Sequence, residues 1–308
     1  MENLSENIRP ARERGLETPL EMSDEDFRSL RDFINRYCGI YFDQPSKFLL
    51  ERRLSHQLRH HRIRNFRDYY LFLKYDPRRE EELNTLAEIL TTNETYFFRE
   101  DYQLKALTDE IIPEILEAQK SNLLSGPDKN LRIWSAGCSS GEEPYTLAML
   151  THEQPGLKNW QIEIFASDIS NRVLTLARKA VYRESSFRAT PEIYRRRYFE
   201  PVEDGFRVRD EIRRLVTFGH LNLLDEERIK MLKRQDIIMC RNVIIYFDKE
   251  SRRRVIRSFF ERLRPGGFLL LGHSESLMNL STDFILRHFQ NDMVYQKPVT
   301  RIVAEENL

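Results

Sequence analysis

The sequence predicts an α/β fold: a doubly wound sheet that follows an all-helical domain and carries a small inserted β-subdomain. Three observations support this fold class. A buried strand, a loop of small residues and a helix follow one another in LRIWSAGCSSGEEPYTLAML, residues 131–150. Short apolar strands then alternate with helices as far as residue 298, as in a parallel sheet. Residues 20–91 show only helical spacing of their apolar side chains.

Length and composition bound the class of protein. A chain of 308 residues exceeds the usual single domain, so a larger and a smaller domain are expected. Lys and Arg (49) balance Asp and Glu (49), so no overall charge favours nucleic acid or an anionic membrane. Three scattered cysteines form no disulfide framework, and a reducing, cytoplasmic setting fits them. No apolar run reaches the ~20 residues that span a bilayer, so we expect no membrane insertion.

The N-terminal part divides into a lead-in and a helical domain. Residues 1–19 are polar and contain two prolines, so we expect a disordered lead-in. In the helical domain, residues 20–91, Ser23 should cap the first helix and Gly39 should end it. Further helices are predicted at residues 47–62, 66–75 and 79–90. The first of these should bury a stripe of leucines, namely Leu50, Leu54 and Leu58.

The second predicted helix also carries a basic face with Arg52, Arg53 and Arg59. Six arginines fall between residues 52 and 67. A charge run of this kind is most simply a solvated helix face, and a docking surface for an acidic partner is the alternative. The residues alone leave both interpretations open.

Residues 92–105 are expected to link the two domains and to contribute to a binding cleft. Three adjacent aromatic residues, 96–98, would be costly to expose, so the segment should pack across a cleft. It would then present Asn93, Thr95 and Arg99. A helix over residues 103–119 and the loop SNLLSGPDKN follow.

The loop from Gly137 to Gly141 should let the backbone approach a ligand closely. Such a loop at a helix N-terminus usually binds phosphate. Here Glu142 and Glu143 lie at its mouth, where they would repel pyrophosphate but could hold a cationic group such as the α-amino end of S-adenosylmethionine. The alternative is that both glutamates merely stabilise the helix N-terminus.

Asp168 follows the second apolar strand, residues 162–166. An acidic residue there accepts hydrogen bonds from ribose hydroxyls in doubly wound folds, which suits an adenosine-containing cofactor. Capping of the helix near Asn171 is the alternative. Residues 182–214 then form an insertion, in which Thr190-Pro191 indicates a short helix and Asp204-Gly205 a hairpin.

The remaining strands should bring polar residues to the same edge of the sheet. A strand at 216–218 leads to Asn222 and Leu223, and a strand at 236–240 leads to Arg241 and Asn242. A helix at 249–263, a turn at RPGG (264–267), a strand in FLLLGH and a terminal strand at 293–296 follow, and the tail, 299–308, is predicted to be disordered. His273-Ser274-Glu275 suggests a hydrolase triad, but no serine stands on a strand-to-helix elbow.

Six motifs in this order resemble the chemotaxis receptor methyltransferases, the CheR family, across residues 20–297. They are TTNETYFFRE, IWSAGCSSGEEPYTLAM, FASDIS, HLNLLDE, DIIMCRNVIIYFD and LRPGGFLLLGHSES. The resemblance implies a helical substrate-docking domain, an S-adenosylmethionine-dependent methyltransferase domain over 106–298 and the inserted β-subdomain. It also implies transfer of a methyl group to glutamate side chains on the cytoplasmic helices of methyl-accepting chemotaxis receptors. The products would be glutamate methyl esters and S-adenosylhomocysteine.

The resemblance also assigns roles to residues of this chain. Cofactor contacts fall on Asn93, Thr95, Arg99, Glu143, Asp168, Asn222, Leu223, Arg241 and Asn242, with Gly137 in the cradle loop. Arg99 and Tyr246 match residues that hold the substrate carboxylate near the methyl group. Arg52, Arg53 and Arg59 lie on the helix that docks the receptor in the family.

A glutamate nucleophile with a pKa near 4.3 is already ionised at neutral pH, so neither a strong base nor a metal is needed. A monomer is expected. Two other functions remain open: a nucleic-acid methyltransferase or binding protein that uses the arginines, and a noncatalytic module that senses S-adenosylmethionine.

Some family members bind a receptor's C-terminal pentapeptide through a glycine-containing extension of the hairpin loop in the β-subdomain. This chain has only EPVEDG between Phe199 and Phe206, which fits a tight turn. The sequence therefore predicts a pentapeptide-independent enzyme.

Overall fold

The computed structural model describes residues 20–91, 93–120 and 129–299. The predicted disordered lead-in, most of the loop SNLLSGPDKN and the tail beyond residue 299 lie outside the described residues. Within those three ranges, no helix is both long enough and apolar enough to cross a bilayer.

Four helices build the N-terminal domain: α1 Asp24–Cys38, α2 Lys47–His60, α3 Phe66–Tyr75 and α4 Arg79–Leu90. The predicted signals at the ends of α1 are confirmed, because the Ser23 hydroxyl accepts from the Asp26 N–H and Gly39 adopts φ +79°. The leucine stripe of α2 is fully buried, as predicted.

The helix predicted over residues 103–119 is interrupted. It comprises α5 Asp101–Ala106, a wide π turn over Leu107–Ile111 and α6 Ile112–Lys120. The Ile112 N–H donates to the Leu107 carbonyl five residues back, directly before Pro113. Because proline clashes with the carbonyl four residues before it, a regular α-helix is disfavoured here and the wide turn relieves the clash.

Ten strands and six further α-helices lie in the described part of the chain beyond residue 129. The strands are β1 Asn130–Ala136, β2 Gln161–Asp168, β3 Val181–Tyr182, β4 Phe199–Val202, β5 Gly205–Val208, β6 Val216–His220, β7 Gln235–Cys240, β8 Leu263–Leu271, β9 Ile285–His288 and β10 Met293–Gln296. The helices are α7 Glu142–Glu153, α8 Asn171–Lys179, α9 Glu192–Tyr198, α10 Asp210–Arg213, α11 Glu226–Lys230 and α12 Lys249–Arg262.

Seven strands form one sheet in the order β6-β2-β1-β7-β8-β10-β9. The first five are parallel, and β10 and β9 join antiparallel at one edge. The doubly wound prediction is therefore confirmed. Strand order reverses between β1 and β7, so a crevice opens beyond their carboxyl ends.

The insertion forms a three-stranded antiparallel sheet, β3-β5-β4, with the predicted helix (α9) and hairpin (β4–β5). The turn predicted at RPGG is wrong, because Arg264–Gly267 lies inside β8 and bonds to the backbone of Lys297 beyond β10. Both β9 and β3 escaped prediction, since such short strands show no periodicity.

The two faces of the sheet pack against different parts of the chain. One face shares an apolar cluster with the helical domain, in which Leu54 of α2 joins Trp134 and Phe259. The other face packs with the insertion, where Tyr198 joins Phe97 and Ile237. The helical domain therefore shares a continuous core with the sheet.

Candidate active site

A cleft of about 1090 Å³, including its opening to solvent, lies beyond the carboxyl ends of β1, β2 and β7. All the residues predicted to bind the cofactor line it, as does Tyr246: Asn93, Thr95, Arg99, Gly137, Glu143, Asp168, Asn222, Leu223, Arg241 and Asn242. Arg52, Arg53 and Arg59 do not line it.

Gly137 sits where backbone must pass close to a side chain. Its φ is +81°, and a Cβ there would lie 2.4 Å from Val243 Cγ2. Its N–H donates to the Ser167 carbonyl at 2.8 Å, which ties the loop to the end of β2. The glycine loop is therefore fixed against two neighbouring segments and leaves no room for a side chain.

The two glutamates after the loop differ in orientation. Glu143 lines the cleft, accepting from the Ser135 hydroxyl at 2.7 Å and lying 3.4 Å from Arg241 Nη1. Glu142 is only 3% exposed and accepts from the hydroxyls of Ser140 and, in the insertion, Ser186. Burial raises the pKa of Glu142. The expectation that both carboxylates face the loop mouth is therefore wrong for Glu142, because the insertion covers that side.

Asp168 joins the glycine loop to the segment after β2. One carboxylate oxygen accepts from the Ser139 N–H and the other from the Ser170 N–H, both at 2.9 Å. Burial raises the pKa of Asp168, although these N–H groups oppose the shift. Ser170, not Asp168, caps α8. Each oxygen keeps a lone pair, which suits a ribose hydroxyl.

The segment before α5 presents Arg99 to the cleft through unusual backbone. Phe98 and Glu100, on either side, have φ of +60° and +58°. Such conformations are strained for residues other than glycine and are held here by buried contacts. The Phe98 N–H donates to the Thr146 hydroxyl at 3.2 Å, and Arg99 Nη1 donates to the Glu94 carbonyl at 2.9 Å.

Arg241 connects three parts of the cleft. Its Nη2 donates to the Arg99 carbonyl at 2.6 Å and to Glu100 Oε2 at 3.0 Å, while Nη1 faces Glu143. The side chain is only 3% exposed. Glu100 was missed by the sequence reasoning, because nothing local marks it as the partner of a residue so distant in sequence. Arg241 therefore organises the cleft wall.

The two asparagines that follow β6 and β7, Asn222 and Asn242, differ in whether their side-chain oxygens are already hydrogen-bonded. Asn222 donates to the Tyr37 carbonyl at 2.5 Å and accepts from the Leu224 N–H at 3.0 Å, so its amide joins the two domains. Asn242 has φ +59°, and its buried Oδ1 has no hydrogen-bond partner within the described residues. That oxygen is a ready acceptor for a ligand donor.

Tyr246 stands at the mouth of the cleft and is 40% exposed. Its carbonyl accepts from the Tyr41 N–H at 3.0 Å, and Ile40 forms an antiparallel bridge with Phe247. Cys38 and Ile40 of the helical domain also line the cleft, which the sequence reasoning missed. The segment after α1 therefore forms part of the site.

The three arginines of α2 are not equivalent. Arg53 is half-buried and donates to the Leu90 carbonyl at 2.7 Å, and its burial lowers its pKa, as does the neighbouring Arg52. Arg52 is exposed, with its guanidinium 5.7 Å from the centre of the Phe48 ring, and Arg59 is exposed. A partner could reach Arg52 and Arg59 more readily than Arg53.

The cleft fits S-adenosylmethionine in its chemistry. Glu143 and Asp168 present carboxylates of the kind that a cationic group and a ribose require, and Asn242 Oδ1 has no hydrogen-bond partner within the described part of the chain. Leu221, Leu223 and other apolar residues form an apolar wall of the kind that an adenine ring requires. Within the described ranges, no group of three or more His, Cys, Asp or Glu side chains could hold a metal ion.

Comparisons with known proteins agree with this geometry. Residues 25–91 match the family model "CheR methyltransferase, all-alpha domain", and residues 93–293 match "CheR methyltransferase, SAM binding domain". The chain is 37% identical over 279 residues to chemotaxis protein methyltransferase 2 of Vibrio cholerae, covering 90% of this chain and 94% of that protein. It is 36% identical to the chemotaxis protein methyltransferase of Borreliella burgdorferi, covering 85% and 92%.

Among solved structures, the rRNA methyltransferase aviRa from Streptomyces viridochromogenes superposes with a TM-score of 0.38 at 16% identity. That alignment covers 63% of this chain and 84% of the other. A similarity this weak carries no information about the substrate.

Proposed function

Because the chain belongs to the CheR family of S-adenosylmethionine-dependent methyltransferases, we propose that it methylates glutamate side chains on the cytoplasmic helices of chemotaxis receptors. The products are a glutamate methyl ester and S-adenosylhomocysteine. The observation that carries the proposal is the meeting of Arg99 and Tyr246 with Glu143 and Asp168 in one cleft. We propose further that the enzyme acts as a cytoplasmic monomer.

Arg99 and Tyr246 are assigned to the substrate carboxylate. When bound, S-adenosylmethionine supplies an electrophilic methyl group, and the carboxylate oxygen bonds to that carbon as the sulfur–carbon bond breaks. The chain's task is to hold the carboxylate in line without neutralising it. The Arg99 guanidinium is tethered to the Glu94 carbonyl and lies 3.9 Å from Glu100, so its charge is partly shared before a substrate arrives.

Glu143 and Asp168 are assigned to the cofactor. Glu143 would hold the amino group, and its hydrogen bond from Ser135 fixes the carboxylate's orientation. Asp168 would hold the ribose hydroxyls, because both of its oxygens are already oriented by backbone N–H groups. Neither carboxylate needs to move a proton in this reaction.

Receptor docking is assigned to the exposed arginines of α2. Arg52 and Arg59 belong to the same domain as Ile40 and Tyr41, whose backbone meets the Tyr246 segment at the cleft mouth. An acidic receptor helix that crosses this basic face could therefore present a glutamate to the mouth.

Independence of a receptor pentapeptide is supported by the edge of the inserted sheet. The N–H of Val208 in β5 donates to the Ala180 carbonyl, on the side of β5 that faces away from β4. Phe199, which pairs with Val208, therefore directs its own N–H away from β5, toward the outer edge of β4. The Phe199 N–H already donates to the Arg195 carbonyl. Pro201 faces the same edge and has no N–H. Neither position offers a donor to an added strand.

The test is to incubate the protein with labelled S-adenosylmethionine and receptor cytoplasmic fragments, with and without the C-terminal tail. Base-labile label on glutamates of both fragments is expected. Label on nucleic acid, or cofactor binding without turnover on any receptor fragment, would favour one of the two other functions. Micromolar binding of the isolated pentapeptide, or loss of activity without the tail, would refute only the proposal that the enzyme is independent of the pentapeptide.

A further inference from the structure

Glu275 lies outside the cleft, yet its carboxylate gathers four backbone N–H groups. One oxygen accepts from Val243 at 3.0 Å and Ile245 at 3.1 Å. The other accepts from Asn242 at 2.8 Å and Gly272 at 2.7 Å. A carboxylate that accepts several backbone N–H groups is a strong, geometrically defined clamp.

Three of those N–H groups belong to the loop that follows β7, residues 242–246. This loop begins with Asn242, in a left-handed conformation, and ends with Tyr246 at the cleft mouth. Gly272 packs against the same start of the loop, where a Cβ would lie 2.7 Å from the Asn242 nitrogen and 2.9 Å from Glu275 Oε2. The loop is therefore held by Glu275 and packed closely against Gly272 at its first residue.

We propose that Glu275 is a positioning residue for methyl transfer: its carboxylate holds the loop in the one shape that directs Tyr246 into the cleft. The proposal rests on the proposed function, because Tyr246 is assigned there to the substrate carboxylate. Asn242 lies two residues beyond the end of β7, whereas Tyr246 lies at the far end of the loop. Loss of the clamp should therefore displace Tyr246 more than Asn242. This role for Glu275 replaces the hydrolase-triad interpretation of His273-Ser274-Glu275.

A carboxylate is required at this position for a simple reason. Its two oxygens accept from four donors, and a glutamine amide would turn its NH₂ group toward two of them. Glu275→Gln keeps the shape of the side chain and removes half of the clamp. Glu275→Asp keeps the charge and shortens the reach.

The first experiment measures the loop and the chemistry separately in the Glu275→Gln variant. Amide hydrogen exchange at residues 242–245 should be faster in the cofactor-free protein, and kcat should fall by up to about 10-fold, the loss expected when the Tyr246 hydroxyl is removed. The Kd for S-adenosylmethionine should rise by less than about five-fold, and Glu275→Asp should recover part of kcat. The matched control is Asp236→Asn, a buried carboxylate at the other end of β7 that accepts from Arg132 and Arg264. It should lower Tm without changing kcat.

The second experiment is a double-mutant cycle with Tyr246→Phe. If Glu275 acts through Tyr246, Glu275→Gln should reduce kcat far less in the Tyr246→Phe background than in the wild type. Equal losses in both backgrounds, or an unchanged kcat in Glu275→Gln, would overturn the proposal. If Glu275→Gln does not fold, Gly272→Ala, which presses on the same loop, carries the same tests. If the wild type methylates no receptor fragment, the proposed function fails, while exchange at residues 242–245 still decides whether Glu275 holds the loop.

Discussion

The inner end of the cleft and its mouth are built in different ways. The inner end consists of strand ends and the loops that leave them: Gly137 and Asp168 are held by bonds within the sheet domain, and Arg241 is held by its bond to the Arg99 carbonyl. The mouth combines three segments distant in sequence, the Ile40–Tyr41 connection, the strained residues around Arg99 and the loop that ends at Tyr246. Cofactor binding should therefore depend mainly on the sheet domain, to which the helical domain adds the bond between Asn222 and Tyr37, and methyl transfer should depend on the contact between the two domains.

The difference also appears in burial. Asp168 and Arg241 are each 8% exposed, whereas Tyr246 is 40% exposed. A buried polar group depends on its partners for its orientation, so removing one should change cofactor affinity strongly. An exposed hydroxyl keeps water as an alternative partner, so its loss should affect only the step in which it meets the substrate.

The largest effect is expected from Gly137→Ala. The new methyl group would lie against Val243, and alanine is strained at φ +81°, so the free energy of unfolding should fall by about 1–3 kcal/mol. The Kd for S-adenosylmethionine should rise on the order of 100-fold or more, since loop and Val243 both line the cleft. Calorimetry measures both changes. Gly266→Ala, with φ +79° in β8, is the control that should destabilise without weakening the cofactor; equal loss of affinity in both would show that the effect is only global.

The second-largest effect is expected from Asp168→Ala. The ribose hydroxyls would lose a charged acceptor in a buried site, which should weaken cofactor binding by about 1–3 kcal/mol. Titration calorimetry should place Asp168→Asn between the alanine variant and the wild type, because one acceptor oxygen remains. An unchanged affinity in Asp168→Ala would remove the ribose role and leave only the bonds to Ser139 and Ser170.

Tyr246→Phe should distinguish the mouth of the cleft, which is expected to affect turnover, from its inner end, which is expected to affect cofactor binding. The bond with the Tyr41 N–H uses the Tyr246 carbonyl and not the hydroxyl, so the ring should keep its place. We expect kcat to fall about 10-fold, the value of one hydrogen bond, with the cofactor Kd nearly unchanged. Steady-state kinetics and calorimetry give the two numbers. Tyr75→Phe, an exposed tyrosine of α3, should change neither, and a parallel loss of affinity in Tyr246→Phe would move Tyr246 into the cofactor pocket.

The smallest effect is expected from charge reversal at Arg59. In Arg59→Glu, the receptor KM should rise about three- to ten-fold and depend less on salt, while cofactor affinity stays the same. Receptor kinetics at several ionic strengths test this. Arg67→Glu reverses a charge on α3 that pairs with Glu25 at 3.1 Å and serves as the matched control. If neither variant, or both equally, changes KM, the basic face of α2 is a solvated surface and not a specific dock.

The sequence by itself determined the fold class and most of the elements that bound the cleft. Periodicity located α1 to α4 and the parallel strands, because a buried stripe or strand imposes its spacing on neighbouring residues. The carboxyl ends of parallel strands meet at one edge, so Gly137, Asp168 and Arg241 were expected together. The resemblance to the CheR family supplied the roles of Arg99 and Tyr246, which no local pattern reveals.

Only the tertiary structure decided which groups face the cleft and which hold it. In the folded protein, Glu142 lies beneath the insertion and Arg241 pairs with Glu100. Ile40 and Tyr41 lie beside the Tyr246 segment. It also made Glu275 the acceptor for the loop after β7. These contacts join residues far apart in the chain, and a sequence records the spacing of neighbours but not the partners that folding brings to a buried charge.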